Sequence, residues 1–570
     1  MKRKIKLYDV PQINSVQDMI FKSAETYSDK LALEDLTDYP ISKVTYREIK
    51  DIILKFGKAL RDLEIPERTH VAIIGENRVQ WALSYLTLMS FNYVAVPIDR
   101  NLTSNEILNI LHESEAEGVI FANTYSSIMK EAKELLPKLK FFIDMDKADD
   151  EFNFLSMKEL IDNVKEVDSS VLPEINPEET AEIIFTSGSL GRAKGVMLSQ
   201  KNLATNLRDM LGMLMMYPED RFLSVLPMHH KYECTCGMLC PLYAGSSVHY
   251  SRSLKTVAED MKNVKATIVL GVPLLFDKMY KKIAKAIKED KTKSKVVPLL
   301  VKLTNVLSKA GLKDIKRKVF KELHEKFGGA IRLFIVGGAA ADPVVSEGLQ
   351  GFGFAFLQGY GLTETSPILA LNQLDNFKND AAGIPLTSVE LKIVNPDEKG
   401  VGEIYAKADS VMLGYYKNEE LTKEAFEDGW FKTGDLGYID EDGFLHIKGR
   451  KKNVIISKSG KNVFPEEIED LLNRSPFILE SLVYGKKDEK QDEIIAAQIV
   501  VDAETFIQLS QEENIKITDE LVKKIISEEV EKVNKSLPSF KRIIKFDVRD
   551  EEFEKTTTKK IKRYVVQKTK

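Results

Sequence analysis

The stretch Ala181-Glu-Ile-Ile-Phe-Thr-Ser-Gly-Ser-Leu-Gly-Arg-Ala-Lys-Gly195 joins an apolar run to a loop rich in glycine, hydroxyl and cationic side chains. The apolar run predicts a buried strand. In the loop, glycines allow several backbone N–H groups to turn toward one point, and the hydroxyls and a lysine complete a nest for a polyphosphate. The register differs from that of a Walker A loop. The pattern predicts a phosphate-binding loop, with an ordinary strand-to-helix turn as the alternative.

Short apolar runs alternate with helical stretches from Val71 to about Leu349, on both sides of this loop. The alternation is typical of βαβ units, which build parallel sheets with helices on their faces. The runs predicted as buried strands are 70–75, 118–121, 181–186, 266–270 and 331–336. We therefore expect an α/β protein.

The pattern of apolar and polar residues changes after about Ile384. Strands such as 389–394 and 402–407 alternate in polarity between prolines and glycines, which indicates a smaller β-rich subdomain. From Lys451 onward a strand, a helix opening at 464–469 and further strands predict a small α+β domain. The boundary is placed near Arg450, which gives domains of 1–450 and 451–570.

Composition narrows the class of protein. The chain has 570 residues, of which 43% are hydrophobic and 30% charged, as in globular proteins. A net charge of −5 does not favour nucleic-acid binding. Three cysteines cannot build a disulfide framework, and the basic start lacks the apolar core of a signal peptide. The expected location is therefore the cytoplasm.

Two segments bear on membranes. The uncharged segment 79–98 has the length of a bilayer span, but its polar side chains and β-branched end predict a buried helix followed by a parallel strand. The segment 281–326 holds fifteen Lys or Arg against five Asp or Glu, a local charge of +10. Its apolar residues recur at helical spacing (Leu299, Leu300, Leu303, Val306 and Leu307). It predicts one or two amphipathic helices, which form either a solvated surface or a peripheral contact with anionic lipid headgroups.

A second motif, Gln358-Gly-Tyr-Gly-Leu-Thr-Glu364, follows a predicted strand, where open α/β sheets bind ligands. The carboxylate of Glu364 can hold Mg²⁺, and the hydroxyl of Thr363 can donate to a phosphate oxygen. The ring of Tyr360 can stack on a flat base. These side chains extend the predicted polyphosphate site.

Three more motifs follow. In Trp430-Phe-Lys-Thr-Gly-Asp-Leu-Gly437, Asp435 can accept hydrogen bonds from both hydroxyls of a ribose. Gly449-Arg-Lys-Lys-Asn-Val454 and Ser459-Gly-Lys-Asn-Val463 stand together at the proposed domain joint, and Glu554-Lys-Thr-Thr-Thr-Lys-Lys-Ile561 is a lysine-rich loop near the end.

Taken in this order, the motifs resemble those of the adenylate-forming superfamily, which includes acyl-CoA synthetases, adenylation domains of peptide synthetases and firefly luciferase. The likeness runs from Thr45-Tyr-Arg-Glu-Ile49 to the last lysines. Leu226-Pro-Met-His-His230 and the lysine-rich segment are most similar to long-chain fatty acyl-CoA synthetases. Peptide-synthetase domains usually hold an α-amine with an aspartate, whereas 228–237 offers Glu233 and no aspartate.

The resemblance implies a fold and an activity. The expected fold is a large N-terminal domain of two flavodoxin-like αβα subdomains and a distorted β-barrel subdomain, with a small mobile C-terminal α+β domain. The expected activity is ATP-dependent conversion of a medium- to long-chain fatty acid to acyl-AMP and then to acyl-CoA. Transfer to the phosphopantetheine of an acyl carrier protein is one alternative. A catalytically weak sensor that binds nucleotide or acyl-adenylate is another.

The resemblance also implies residue roles for binding ATP, Mg²⁺ and CoA. Thr363 and Glu364 would hold the α-phosphate and Mg²⁺, and Lys560 would reach the carboxylate and α-phosphate oxygens. His230 would lie beside the carboxylate pocket, and Lys452 stands at the hinge position about which the small domain rotates. The β- and γ-phosphates would be held by Ser187, Gly188, Ser189, Gly191 and Lys194, the ribose by Asp435 and Arg450, and adenine would be flanked by the run 337–340, which includes Gly338 and Ala339. The further cofactor-binding positions are Thr186, Gln358, Gly359, Tyr360, Lys452 and Gly460.

Four positions depart from the family pattern. Leu190 replaces a hydroxyl residue and Ala193 a proline in the phosphate loop, while Glu554 and Lys559 replace a proline and a glycine in the terminal loop. Lys559 leaves the catalytic lysine ambiguous by one position, although Ile561 favours Lys560. We expect these four departures to affect the rate of acyl activation more than the type of reaction.

Two histidines and three cysteines fall between His229 and Cys240 and suggest a zinc site. The cysteines are separated by one and three residues, whereas structural zinc sites favour two. Their apolar neighbours suit small buried thiols, which is the favoured interpretation.

Overall fold

The computed structural model describes residues 5–187, 193–312, 314–458, 460–487, 493–555 and 561–563, with Ser187 described by its backbone alone. The chain divides into two units. The first unit consists of 1–391, 406–431 and 441–445, and the second consists of 392–405, 432–440 and 446–570.

The α-helices of the described chain are α1 (Val16–Thr26), α2 (Tyr46–Asp62), α3 (Val79–Ser90), α4 (Ser104–Glu113), α5 (Ser126–Leu135), α6 (Met157–Asn163), α7 (Gln200–Met213), α8 (Cys240–Ala244), α9 (Val257–Val264), α10 (Pro273–Glu289), α11 (Lys293–Lys309), α12 (Ile315–Val319), α13 (Lys321–Lys326), α14 (Pro343–Gly351), α15 (Glu419–Ala425), α16 (Pro465–Asn473), α17 (Ala503–Glu513) and α18 (Asp519–Ser536).

The strands are β1 (Leu31–Asp35), β2 (Lys43–Thr45), β3 (His70–Ile74), β4 (Val94–Pro97), β5 (Gly118–Phe121), β6 (Phe141–Asp144), β7 (Leu155–Ser156), β8 (Thr180–Ser187), β9 (Ala193–Ser199), β10 (Arg221–Ser224), β11 (Ser247–Tyr250), β12 (Ile268–Gly271), β13 (Leu333–Val336), β14 (Ala355–Gly361), β15 (Ile368–Leu371), β16 (Ile384–Pro385), β17 (Glu390–Val394), β18 (Gly402–Lys407), β19 (Gly414–Tyr415), β20 (Phe426–Glu427), β21 (Trp430–Ile439), β22 (Leu445–Arg450), β23 (Ile455–Ile456), β24 (Asn462–Val463), β25 (Ile478–Lys487), β26 (Glu493–Val501) and β27 (Lys545–Arg549).

Two large sheets build the first unit. One has the strand order β16-β15-β14-β13-β12-β10-β11-β1-β2, and its strands from β14 to β1 run parallel. The other has the order β19-β9-β8-β4-β3-β5-β6-β7, parallel from β8 to β7. Central strands such as β5, β12 and β13 are apolar and fully buried, as parallel strands covered on both faces must be. The predicted α/β class is confirmed.

The uncharged segment 79–98 is confirmed as core. Every residue of α3 is buried, and β4 follows it and pairs in parallel with β3. Gln80 donates from its side chain to the Met145 carbonyl over 2.8 Å, so this buried amide is satisfied inside the protein. Within the described part of the chain, no helix combines the length and the apolar character that crossing a bilayer requires.

The prediction of one or two helices over 281–326 is wrong. The described residues of this segment form the end of α10 and the helices α11, α12 and α13. A turn with Gly311 at φ +103° follows α11, and Asp290 ends α10 with an extended backbone. The apolar spacing marks the helical state correctly, but it does not show where these breaks fall.

The second unit is α+β in character. Strands β25, β26 and β27 form a sheet, with β25 antiparallel and β27 parallel to β26. Apolar residues of α16, α17 and α18 pack with these strands in one buried cluster. Strands β17, β18, β20, β21 and β22 form a further sheet, and, β20 apart, most of their residues belong to this unit.

Candidate active site

The predicted motifs of the first unit follow neighbouring parallel strands. The segment 225–230 follows β10, the segment 337–340 follows β13, and Thr363 and Glu364 follow β14. Strands β13 and β14 are paired in register, with Val336 opposite Gln358. The carboxyl ends of parallel strands meet at one edge of a sheet, which is where open α/β sheets bind ligands.

The predicted phosphate loop connects two antiparallel strands, rather than a strand and a helix. Strands β8 and β9 form a hairpin, in which Thr186 lies opposite Lys194 and Ser187 opposite Ala193. Thr186 and Lys194 are half-buried at the loop end of this hairpin. The loop residues Gly188, Ser189, Leu190 and Gly191 lie outside the described residues.

Tyr415 links two of the predicted motifs. Its hydroxyl donates to Oε1 of Glu364 over 3.0 Å, and Nζ of Lys194 lies 5.2 Å from the centroid of its ring. Backbone pairing holds this arrangement, because Tyr415 pairs with Val196 on β9 and the Met412 N–H donates to the Glu364 carbonyl over 2.8 Å. Lys194 and Glu364, 170 positions apart in the sequence, therefore meet around one aromatic side chain.

Sequence reasoning missed Tyr415. The only local signal is a glycine followed by two tyrosines at 414–416, which equally fits a strand of the β-rich subdomain. Its role depends on a short antiparallel pairing between β19 and β9, which no local pattern marks.

A tight turn presents Thr363 and Glu364. A side chain on Gly361 would place its Cβ 1.8 Å from the Pro367 carbonyl oxygen, so this close approach requires glycine. The Thr365 hydroxyl accepts from the Leu362 N–H over 3.0 Å. Both Thr363 and Glu364 are half-buried at the end of the turn.

The side chain of Gln358 serves the protein itself. Its Oε1 accepts from the Ala341 N–H over 3.2 Å, and its Nε2 donates to the carbonyls of Asn379 and Ala381 over 3.0 and 2.6 Å. This amide therefore fixes the end of the segment 337–341 beside β14. The predicted contact of Gln358 with the nucleotide stays a prediction beside this positioning role.

Other positions predicted to bind the cofactor lie nearby. Gly338 has φ +81°, and Gly338 and Ala339 are exposed. Gly359 lies against β15, where a Cβ would come within 3.2 Å of the Ala370 carbonyl oxygen, and Tyr360 is half-buried against the main core.

The region around His230 is a buried wall. A π-helix spans Glu233–Leu239, a form that is rare and frequent at functional sites. The His230 Nδ1 accepts from the Tyr232 N–H over 3.4 Å. Burial, with Arg100 nearby, lowers the pKa of His229 to about 3, so this imidazole is neutral. The ring of Tyr232 lies 2.6 Å from where a Cβ on Gly337 would stand, so the wall adjoins the segment after β13.

The cysteines of this wall are buried and unpaired with one another. Burial raises the pKa of Cys234 to about 12, so this thiol is protonated at neutral pH. Among the described residues, no group of three or more His, Cys, Asp or Glu side chains is arranged to hold a metal. Burial also raises the pKa of Glu233 to about 8, so this carboxyl is mostly neutral at pH 7.

A buried ion pair joins the wall to the phosphate-loop hairpin. Nζ of Lys231 lies 2.6 Å from Oε2 of Glu182 on β8, and both side chains are at most 1% exposed. The Tyr85 hydroxyl donates to the same oxygen over 3.1 Å. Burial alone would lower the pKa of Lys231, but Glu182 outweighs it and the pKa lies above its usual value. Sequence reasoning missed this pair, because nothing local relates two positions 49 apart.

In the second unit, the structure brings Asp435 and Arg450 together. Nε of Arg450 lies 2.8 Å from Oδ1 of Asp435, and its Nη1 donates to the Thr433 carbonyl over 3.2 Å. The two residues lie on neighbouring strands β21 and β22. The Asp435 N–H donates to the Thr433 hydroxyl over 3.1 Å, which fixes the turn at Gly434 with φ +70°.

The remaining predicted residues also belong to the second unit. Lys452 lies in a 3₁₀ turn, Lys451–Asn453, and lines a pocket of about 140 Å³ with Tyr484 and Arg563. Gly460 is exposed, with φ +73°, in the turn between β23 and β24. Lys560 and Lys559 lie outside the described residues. On either side of them in the sequence, Lys555 and Ile561 form an isolated β-bridge.

Comparison with known families gives two matches. Residues 20–416 match the family of AMP-binding enzymes, and residues 467–560 match the AMP-binding enzyme C-terminal domain. The first match alone covers more than half of the chain.

Similar curated proteins span most of the chain. A long-chain-fatty-acid–CoA ligase of Mycobacterium bovis, FadD15, is 29% identical over 88% of this chain and 84% of its own length. A chloroplastic long-chain-fatty-acid–[acyl-carrier-protein] ligase of Arabidopsis thaliana, AEE15, is 27% identical over 84% of this chain and 76% of its own length. Among solved structures, ATP-bound MatB from Rhodopseudomonas palustris superposes with a TM-score of 0.76 at 23% identity, over 97% of this chain and 99% of that one. This structural likeness shows a shared fold.

Proposed function

The chain belongs to the family of AMP-binding enzymes, and we propose that it joins a medium- to long-chain fatty acid to CoA through an acyl-adenylate. In the first step, a carboxylate oxygen of the acid attacks the α-phosphorus of ATP, and pyrophosphate leaves. In the second step, the sulfur of CoA attacks the acyl carbon, and AMP leaves with that oxygen. The observation that carries the proposal is the contact of Lys194 and Glu364 with Tyr415, which unites the two phosphate motifs.

The first step brings an anionic nucleophile to a polyanion, so charge neutralisation and positioning are the main tasks. Lys194 supplies a positive charge at the loop end of the phosphate hairpin, and Tyr415 fixes the carboxylate of Glu364 beside Thr363. Lys560 is proposed as the cation that acts on the carboxylate and α-phosphate oxygens. His230 is proposed to bound the carboxylate pocket.

The residues around Glu364 fit Mg²⁺. This ion is usually held by one or two carboxylates with substrate phosphates and waters, so one oriented carboxylate beside a hydroxyl is a sufficient protein contribution. When bound there, Mg²⁺ would stabilise the negative charge of the departing pyrophosphate. Glu364 is the residue proposed to hold it, and Thr363 the neighbouring donor.

Asp435 and Arg450 are proposed to hold the ribose of ATP. Replacing Asp435 by asparagine is expected to raise the KM for ATP about 10- to 100-fold with a smaller effect on kcat, because a hydrogen bond to a charged group contributes about 1.5–3 kcal/mol. Steady-state kinetics at saturating fatty acid measures this. The matched control is Asp440→Asn, which affects a carboxylate paired with His446 just beyond the same strand. A fall in kcat with an unchanged KM for ATP would contradict the assignment.

Lys452 is proposed as the hinge between the two steps. Replacing Lys452 by proline is expected to spare adenylate formation and to lower thioester formation at least 100-fold, because proline fixes φ where the backbone must rotate. The two steps are measured separately, by acyl-AMP formation without CoA and by conversion of preformed acyl-AMP with CoA. Lys452→Ala, which keeps backbone freedom, should retain both steps. Equal loss of both steps in the proline variant counts against the hinge.

The acyl acceptor has a second candidate. One similar protein is named as a ligase for acyl carrier protein, and the segment 541–570 of this chain carries a charge of +6, which suits an acidic carrier as well as the phosphates of CoA. CoA is the acceptor we favour, because FadD15 and other similar proteins are named as CoA ligases. The cytoplasm is the proposed location.

ATP–pyrophosphate exchange across acids from acetate to palmitate, with aromatic acids included, tests the proposal. We expect exchange that depends on medium- and long-chain acids, followed by thioester formation with CoA. Formation with a phosphopantetheine-loaded carrier alone would replace the favoured acceptor by the alternative. Nucleotide binding without exchange for any acid would leave only a sensor.

A further inference from the structure

Helix α11 exposes an apolar stripe. Val296, Leu299, Leu303 and Val306 are 43%, 66%, 55% and 65% exposed, and their spacing of three, four and three residues places them on one face. Six of the eighteen exposed large apolar side chains in the described part of the chain lie between 296 and 319 in the sequence, and these four are among them. Contiguous apolar surface of this kind marks an interaction site, whereas scattered single residues do not.

The stripe is not the face by which α11 packs on the protein. Val297, Leu300 and Val301 pack against the buried cluster around β12 and β13, and Thr304 is 1% exposed. These positions lie roughly 130° around the helix axis from the stripe, at about 100° per residue. Helix α11 is therefore apolar on two faces. One face packs against the core, and the other is exposed.

A row of lysines borders the stripe. Lys295, Lys302 and Lys309 recur every seven residues, roughly 80° around the axis from the stripe. Among the described residues, no carboxylate lies within ion-pair distance of these three lysines, whereas Lys293 on the same helix lies 3.5 Å from Asp290. The cations nearest the apolar stripe are therefore not neutralised by the protein.

We propose that this face of α11 docks on an anionic lipid bilayer. An apolar stripe that enters the acyl boundary beside a row of lysines at headgroup level is the geometry of interfacial helices. The local charge of +10 over 281–326, in a chain of net charge −5, supplies the attraction to anionic lipid. A second copy of the chain would meet the same cations and be repelled. The inference concerns where the protein works and does not rest on its proposed reaction.

Vesicle flotation with the full-length protein tests this. The protein should bind vesicles containing phosphatidylglycerol more tightly than phosphatidylcholine vesicles, and added salt should weaken the binding. The stripe variant L299Q/L303Q should bind about tenfold more weakly, because less apolar surface enters the bilayer. The lysine variant K295Q/K302Q/K309Q should bind roughly 100-fold more weakly, at about fivefold for each lysine.

Matched controls change the same residue types elsewhere. The control L135Q/I507Q replaces a leucine and an isoleucine that are each 58% exposed. The control K516Q/K523Q/K524Q removes three exposed lysines of the second unit. Both controls should bind like the unaltered protein, and all variants should keep its melting temperature because every position is exposed. The proposal is overturned if the unaltered protein does not float with anionic vesicles, even if it binds an acidic protein. It is equally overturned if either helix variant binds as tightly as its control.

Discussion

Replacing Glu364 by glutamine is expected to lower the rate of acyl-adenylate formation about 100- to 1,000-fold, the usual cost of losing one preorganised group that stabilises transition-state charge. Glutamine keeps the shape of the side chain and can still accept a hydrogen bond from the hydroxyl of Tyr415. In the unaltered protein this hydroxyl lies 3.0 Å from Oε1 of Glu364. The change therefore removes the negative charge and little else. ATP–pyrophosphate exchange measures the effect, and the melting temperature should stay nearly constant.

The variant Tyr415→Phe tests whether the orientation of the Glu364 carboxylate matters separately from its charge. This variant keeps the ring beside Lys194 and removes the hydrogen bond to Glu364. Because the charge remains, we expect a loss of about tenfold, well short of the loss in Glu364→Gln. If Glu364→Gln exchanges at the unaltered rate, or if Tyr415→Phe is the more severe change, Glu364 does not have the proposed role.

Replacing Lys231 by methionine is expected to lower the free energy of unfolding of the first unit by about 3–5 kcal/mol. The substitution leaves Glu182 buried without its cation, and breaking a buried pair by removing one partner has a cost of this size. Oε1 of Glu182 already has no hydrogen-bond partner in the folded protein. Among the described residues, Lys231 is the cation paired with this carboxylate, so its loss leaves the negative charge of Glu182 uncompensated. Urea unfolding followed by tryptophan fluorescence suits this test, because Trp81 and Trp430 both belong to the first unit.

The double variant K231M/E182L tests whether the unpaired charge of Glu182 causes the loss of stability in Lys231→Met. When both partners become apolar, no charge is left buried, and most of the lost stability should return. The control is Lys50→Met, which breaks a surface pair 3.3 Å from Glu25 and should change the free energy of unfolding by at most about 1 kcal/mol. A double variant as unstable as the single one would mean that packing, and not the unpaired charge, explains the loss.

The fold was predictable because its signals are local. The strands β3, β5, β8, β12 and β13 each overlap the apolar run that predicts them, since parallel strands covered on both faces must be largely apolar. The segment 79–98 was correctly separated from a membrane span by its polar side chains, which find partners inside the core. By contrast, the breaks within 281–326 depend on single turns, which the hydrophobic period does not record.

The candidate site was predictable only in part. Motif order pointed to Lys194, Glu364, Asp435 and Arg450, and the structure brings these residues together in two pairs, one in each unit. The role of Tyr415 and the pair of Lys231 with Glu182 depend on contacts between distant parts of the chain. Gln358 stays a predicted cofactor-binding residue, and the structure adds that its amide holds the protein backbone, which the motif does not indicate.

The fate of the carboxylate oxygen tests the central claim most directly. A fatty acid labelled with ¹⁸O in both carboxylate oxygens is converted with ATP and CoA, and the nucleotide and phosphate products are examined by mass spectrometry. Attack on the α-phosphorus predicts AMP that carries one labelled oxygen, together with unlabelled pyrophosphate. Formation of ADP with labelled phosphate would show attack on the γ-phosphorus instead, and would contradict the adenylate mechanism.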